Sequence, residues 1–225
     1  MQLDDTVVNK KTDFLKLIAA FTMLLDHAAL LSIIASSNTY IALRIIGRLA
    51  FPIFAYYIAV GFTHTHNLKK YVTRLLVCAV VSQIPFALYF KEPFNLNIIF
   101  TFLFAIAVLY FLKLRWHYTA FALALLPVCT QILFNISTDY STYGILTVVA
   151  FYIFMQEKTK AGLAFIILTV VFSVLTSSYV QLFSILALPI IYLKHPIGIK
   201  MPKYFFYYFY PSHIMVLYIL SILFF

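Results

Sequence analysis

The chain has 225 residues, 64% of them hydrophobic and only 10% charged, with 24 Phe and 17 Tyr. A soluble domain of this length has no use for so much apolar surface, so the excess must face lipid. The net charge of +9 would suit a nucleic-acid binder in a more polar chain. Here it reads as Lys and Arg held in loops on one side of a membrane, and no nucleic-acid partner is expected.

A crossing helix needs roughly 20 mostly apolar residues. Runs of that kind lie at 14–36, 40–62, 71–90, 97–112, 117–135, 142–155, 162–176, 179–193 and 204–224. They predict an all-α, polytopic bundle of about nine transmembrane helices. Residues 1–225 form a single domain, with a short polar cytoplasmic N-terminus at 1–13. The connections are brief and polar, beginning with Ser36, Ser37 and Asn38. With the N-terminus inside, Lys10, Lys11, Lys16, Lys69, Lys70, Arg74, Lys113, Arg115, Lys158, Lys160, Lys194, Lys200 and Lys203 fall on the cytoplasmic side. The opposite loops carry Lys91, beside Glu92. Basic residues thus alternate with the loops as the positive-inside rule requires. The first run follows several charged residues and contains Asp26 and His27, so it reads as a retained anchor rather than a cleaved signal. Cys78 and Cys129 read as small buried hydrophobes, not as a disulfide.

Ionisable residues inside the apolar runs carry the chemistry. A charge at the depth of Asp26 costs about 2.5–3.5 kcal/mol, so such a residue faces a cavity or a partner. Asp26 pairing with an arginine merely to join two helices is the structural alternative. Arg44 and Arg48 stand one turn apart on one face of the second run. Arg48 reaches the depth of Asp26, and Gly47 beside it permits close helix approach. Arg44 is shallower, and snorkelling outward weighs evenly with a functional role. Lys16 and His27 are eleven residues apart, almost three turns, so they share a helix face and lie roughly 16 Å apart along the axis. That face runs from a cation at the cytoplasmic mouth, itself explicable as a topogenic anchor, to a titratable imidazole near mid-membrane. His213, after Tyr210 and Pro211, is either a satisfied core histidine or a site residue. Gln83 is a weaker polar candidate.

The cytoplasmic turn from Gly61 to Tyr71 carries His64, His66, Lys69 and Lys70, which suits either phosphates or anionic lipid headgroups. No Cys or carboxylate lies near its two histidines, so no metal is expected. On the far side Asn95, Asn97, Asp139, Tyr140 and Tyr143 make a polar rim.

Phe14, Lys16, Met23, Asp26 and His27, then Arg44, Gly47, Arg48, Phe51, Pro52 and Tyr56, resemble the TraX family. So do Gly61 and Phe62 through Lys69, Lys70 and Tyr71, then Ser82, Gln83 and Pro85, residues 140–144, and Tyr210, Pro211 and His213. The resemblance runs from about residue 14 to the C-terminus, and the first two helices with their turn are its specific part. It implies a multi-pass N-acetyltransferase of the inner membrane of a prokaryote, typified by acetylation of conjugative pilin at its N-terminal amine. It also implies a distant relation to transmembrane acyltransferases, which carry a basic residue, ten intervening residues and a His in their first helix. Lys16 and His27 have that spacing.

The expected reaction is acetyl transfer from acetyl-CoA to a pilin-like peptide or another membrane-presented acceptor, among membrane lipids. Lys16, His64, His66, Lys69, Lys70 and Arg74 would receive the CoA portion. His27 would act as general base, Arg48 would stabilise the oxyanion, and Asp26 would orient a polar partner or balance Arg48. Arg44, Gln83, Asp139, Tyr140 and His213 are secondary or acceptor-side candidates. The alternatives are a proton-coupled transporter or channel, which also uses intramembrane Asp, His and Arg, and a non-catalytic assembly factor for a surface structure.

Overall fold

Backbone groups among so many apolar side chains have no water to bond, and the chain satisfies them almost wholly as helix. A computed structural model describes residues 5–31, 37–193 and 198–224. In chain order these form α1 (Asp5–Ala28), α2 (Ser37–Gly47), α3 (Ala50–His64), α4 (Leu68–Phe90), α5 (Ile98–Lys113), α6 (His117–Phe134), α7 (Ser141–Ile153) and α8 (Lys158–Thr176). A 3-10 helix (Tyr179–Leu186) then runs into α9 (Ala187–Tyr192), and α10 (Phe205–Phe224) closes the chain. Ser36, read as part of a connection, and Lys194, read as a loop cation, lie outside the described residues, as do residues 32–35 of the first apolar run.

Among the described residues, five stretches are long and apolar enough to cross a membrane: Asn38–His64, Leu68–Phe90, His117–Phe134, Lys158–Thr176 and Phe205–Phe224. Ile98–Lys113, Ser141–Ile153 and Tyr179–Tyr192 are shorter apolar helices. Large apolar side chains remain exposed along α4 (Val77, Val80, Ile84), α6 (Phe121, Ile132), α8 (Ile167, Val171, Leu175) and α10 (Val216, Ile219, Leu223). Uncovered apolar faces on several helices at once are what a lipid-facing surface requires. The chain is a helical membrane protein.

The nine predicted runs appear in order, with three differences. The first helix starts at Asp5, inside the stretch expected to be a polar terminus, and ends at Ala28. The second run is two helices, because Pro52 has no N–H to give the Arg48 carbonyl. The backbone turns at Arg48 and Leu49, and Pro52 sits in the tolerated first turn of α3. Third, the all-helix expectation missed a small parallel pairing, Asn95 and Leu96 with Ser137 and Thr138, which ties the α4–α5 connection to the α6–α7 connection. Cys78 is buried as expected, whereas Cys129 is exposed.

The core lies where α1, α3, α5 and α7 meet, filled by Leu15, Ala19, Ile53, Ala59, Ala105, Leu109, Ile145 and Val148. Alanines at the contacts let these helices approach closely. α4 packs along α10, and α2 lies against α1 and the 3-10 helix. Asn97 caps α5, its Oδ1 accepting from Ile99 N at 3.1 Å. Asn97 is fully buried, and Gln83 of α4 serves it twice, its Oε1 accepting from Asn97 N at 3.0 Å and Asn97 Nδ2 at 2.9 Å. Gln83 Nε2 donates to Asn95 O at 2.8 Å.

Gln83→Leu therefore leaves buried donors and an acceptor unpaired, at about 1–3 kcal/mol each. The variant is expected to unfold several degrees below wild type in a detergent melting experiment; an unchanged midpoint would show that these bonds are dispensable.

Candidate active site

The break between α2 and α3 presents two arginines to α1. Gly47 makes the approach possible: a Cβ there would overlap the Asp26 side chain. Both Asp26 oxygens accept from Arg48 Nη2 at 2.6 Å, and Asp26 Oδ2 accepts from Arg44 Nη1 at 2.8 Å. The contact expected between Asp26 and Arg48 is present. Arg44, for which outward snorkelling was an open alternative, turns inward instead, because Asp26 is within its reach.

The two arginines differ in what they have left to give. Arg48 also donates through Nε to Arg44 O at 3.3 Å, and through Nη1 to Tyr140 OH at 3.2 Å and Gln181 Oε1 at 3.3 Å. All three nitrogens of the Arg48 guanidinium are therefore engaged. Among the described residues, Arg44 makes one side-chain bond, to Asp26. Its side chain is also the more open, 26% exposed against 11% for Arg48.

Tyr140 is placed by the strand pairing. Asp139 N donates to Leu96 O at 2.8 Å and Thr101 Oγ1 to Asp139 O at 2.5 Å. Tyr140 itself adopts φ 61°, a left-handed conformation that costs a bulky residue about 1–3 kcal/mol and clusters at functional sites. Its ring stacks on Phe51, centroids 4.1 Å apart. Burial pushes the Asp139 carboxyl up to about 6, against the opposing pull of the Arg48 guanidinium.

His27 has no bond to Asp26. Its Nδ1 lies 2.9 Å from His213 Nε2, and His213 Nδ1 lies 2.9 Å from Phe209 O. Tyr89 OH donates to His27 O at 2.7 Å, and the Phe90 ring meets the His27 ring edge-on at 5.2 Å.

One cavity of about 470 Å³ joins these groups. Lys16 and Lys203 lie on its lining with Tyr57 and Phe206; the Lys16 ammonium is 5.4 Å and 5.8 Å from those two ring centroids and 3.5 Å from Asp13 Oδ1. Phe54, Ile58, Leu75 and Phe86 supply apolar wall. Asp26, His27, Arg44, Arg48, Glu92, Asn95, Asp139 and Tyr140 also line it. Of the predicted residues, Lys16, Asp26, His27, Arg44, Arg48, Asp139 and Tyr140 thus meet at one cavity, and His213 joins through His27. His64, His66, Lys69, Lys70, Arg74 and Gln83 do not line it. The basic turn is exposed, with His64 Nδ1 2.9 Å from Val60 O, and Gln83 is committed to Asn95 and Asn97. Two residues of the site carry no signal in the sequence: Lys203 is one loop cation among many, and Gln181 follows a turn in an apolar run.

A helical membrane protein with an interior cavity that carries buried arginines, a carboxylate and an imidazole pair is the class these features define. The chain belongs to the TraX family: the family model described as TraX protein matches residues 11–221. It is also similar to a probable fimbrial assembly protein, FimC of serogroup H1, from Dichelobacter nodosus. The two are 27% identical over 236 residues, covering 90% of this chain and 92% of the relative. No solved structure matches.

Gly47→Ala is expected to force α1 and α2 apart and to lower stability by about 1–3 kcal/mol. Gly162→Ala, where a new Cβ meets its nearest neighbour at an ordinary 3.6 Å, serves as the neutral comparison. Melting curves that shift equally for both variants would contradict the close approach at Asp26.

Proposed function

We propose that this protein is an acetyltransferase that moves an acetyl group from acetyl-CoA to the N-terminal amine of a pilin-like peptide or another membrane-presented acceptor. It works from the cytoplasmic membrane, with nine crossings and the Lys16 end inside, an orientation favoured by the alternation of basic loops. The observation that carries the reading is one cavity lined by two lysines, apolar side chains, an imidazole and an arginine that, among the described residues, has one side-chain partner.

The residues suit the donor molecule. Lys16 and Lys203 are placed to receive its phosphates, and Phe54, Tyr57, Ile58 and Leu75 offer wall to its pantetheine arm. His27 and Arg44 remain for the thioester. As the amine nitrogen attacks the carbonyl carbon and the carbon–sulfur bond breaks, His27 accepts the proton lost from nitrogen and returns it to the departing sulfur. Arg44, rather than Arg48 with its three engaged nitrogens, donates to the developing oxyanion. Asp26 and Arg48 act by holding Arg44 in place. The similarity to a probable fimbrial assembly protein favours a second reading, a membrane assembly factor without turnover.

Labelled acetyl-CoA and a peptide acceptor supplied to the protein in lipid vesicles separate the two. Transfer is expected, falling roughly 10²–10⁴-fold in His27→Ala and 10²–10³-fold in Arg44→Gln with little change in KM. Lys16→Ala combined with Lys203→Ala is expected to raise the KM for acetyl-CoA instead. CoA binding with no transfer in wild type would favour the assembly factor, and a fully active His27→Ala would sink the mechanism.

A further inference from the structure

His213 is buried in the middle of α10 and is not itself part of the cavity wall. Its hydrogen bonds nevertheless decide which nitrogen of His27 is available for chemistry. The Phe209 carbonyl can only accept, so His213 Nδ1, 2.9 Å away, carries a hydrogen. A neutral imidazole has one N–H, which makes His213 Nε2 an acceptor. His27 Nδ1 faces it at 2.9 Å and must therefore donate. That uses the single N–H of His27 and leaves its Nε2 with a bare lone pair. No hydrogen bond to another described residue engages that atom.

The ring geometry fits a directed bond rather than a face-to-face stack. The two ring planes are within 9° of each other with centroids 5.1 Å apart. At a nitrogen–nitrogen distance of 2.9 Å, that is the separation of two rings sharing one plane and meeting edge to edge, which aligns the N–H with the acceptor lone pair. Phe209 lies parallel to the His213 ring with centroids 4.8 Å apart, so the ring has little freedom to flip. α10 is itself anchored at this level. Pro211 cannot donate to Tyr207 O, and the Cys78 thiol from α4 takes that carbonyl at 3.5 Å.

We infer that His213 is a positioning residue that fixes His27 as the Nδ1–H tautomer and so reserves His27 Nε2 as the proton acceptor of the cavity. The inference rests on the acetyltransferase reading. When His27 Nε2 receives the proton from the attacking amine, the Nδ1–H···Nε2 bond to His213 stays in place and strengthens, because its donor has become cationic. When that proton passes to the departing sulfur, the same tautomer is restored.

The test is nitrogen NMR on the protein labelled at its six histidines in lipid nanodiscs, with His27→Asn used to assign the His27 signals. In wild type, His27 Nδ1 should carry the hydrogen and Nε2 should not. His213→Leu should shift His27 towards the Nε2–H form, whereas His213→Gln, whose amide oxygen still accepts, should keep the wild-type tautomer. In the transfer assay kcat should fall roughly 10–100-fold for His213→Leu with an unchanged KM for acetyl-CoA, and recover for His213→Gln. A wild-type His27 protonated on Nε2, or on both nitrogens, overturns the inference. So does a His213→Leu protein that keeps both tautomer and kcat. If the leucine variant fails to accumulate, the wild-type spectrum alone decides. The predicted tautomers with no acetyl transfer in wild type would leave the histidine coupling standing and remove the acetyltransferase reading.

Discussion

A carboxylate and two guanidinium groups inside an apolar bundle form the constraint on which the rest of this structure depends. Asp26 alone in that setting would be driven to neutralise or to find a cation, and the protein brings it two, at 2.6 Å and 2.8 Å. Such a cluster cannot tolerate the loss of one member, since breaking a buried pair typically costs about 3–5 kcal/mol. It therefore dictates which segments must meet. Gly47 has no side chain because Asp26 occupies that space. Tyr140 accepts a left-handed backbone and Gln181 a fully buried amide because Arg48 needs acceptors. Three other stretches of chain, carrying Asp26, Tyr140 and Gln181, converge on one guanidinium.

That convergence divides the work among residues that look equivalent in sequence. Arg48 is held by Asp26, Tyr140 and Gln181, while Arg44, among the described residues, has one side-chain partner, Asp26. Asp26 and His27 are adjacent in the chain yet belong to different assemblies, because neighbouring residues on a helix point about 100° apart. Asp26 organises the arginines and His27 pairs with His213. The arginine–carboxylate cluster and the histidine pair are then separate assemblies beside one cavity. Lys16 and Lys203 add further positive charge to the same cavity, with the Tyr57 and Phe206 rings beside the Lys16 ammonium.

Much of this architecture is legible in the amino-acid sequence. The apolar runs locate the helices, since that signal is local and large. The depth of Asp26 and Arg48, and the shared face of Lys16 and His27, follow from helical periodicity alone. What is not legible depends on long-range or cancelling effects. A two-residue strand pairing has no periodicity to detect. The partners of Gln83 and His213 are chosen by packing between distant segments, 186 positions apart for the histidines. The cations of the 63–70 turn cluster along the sequence yet stand exposed away from the cavity, whereas Lys203, from the other end of the chain, lines it. The break in the second run does have a signal, Pro52, which the uninterrupted hydropathy of its neighbours conceals.

The most direct test of the central claim is an experimental structure of the protein in lipid with a non-transferable thioether analogue of acetyl-CoA. Its phosphates are expected beside Lys16 and Lys203, the pantetheine arm along Phe54 and Ile58, and the acyl-bearing end between His27 and Arg44, with Asp26 still paired to both arginines. Analogue bound at the exposed 63–70 turn with the cavity unfilled, or an arginine pair separated from Asp26, would contradict it.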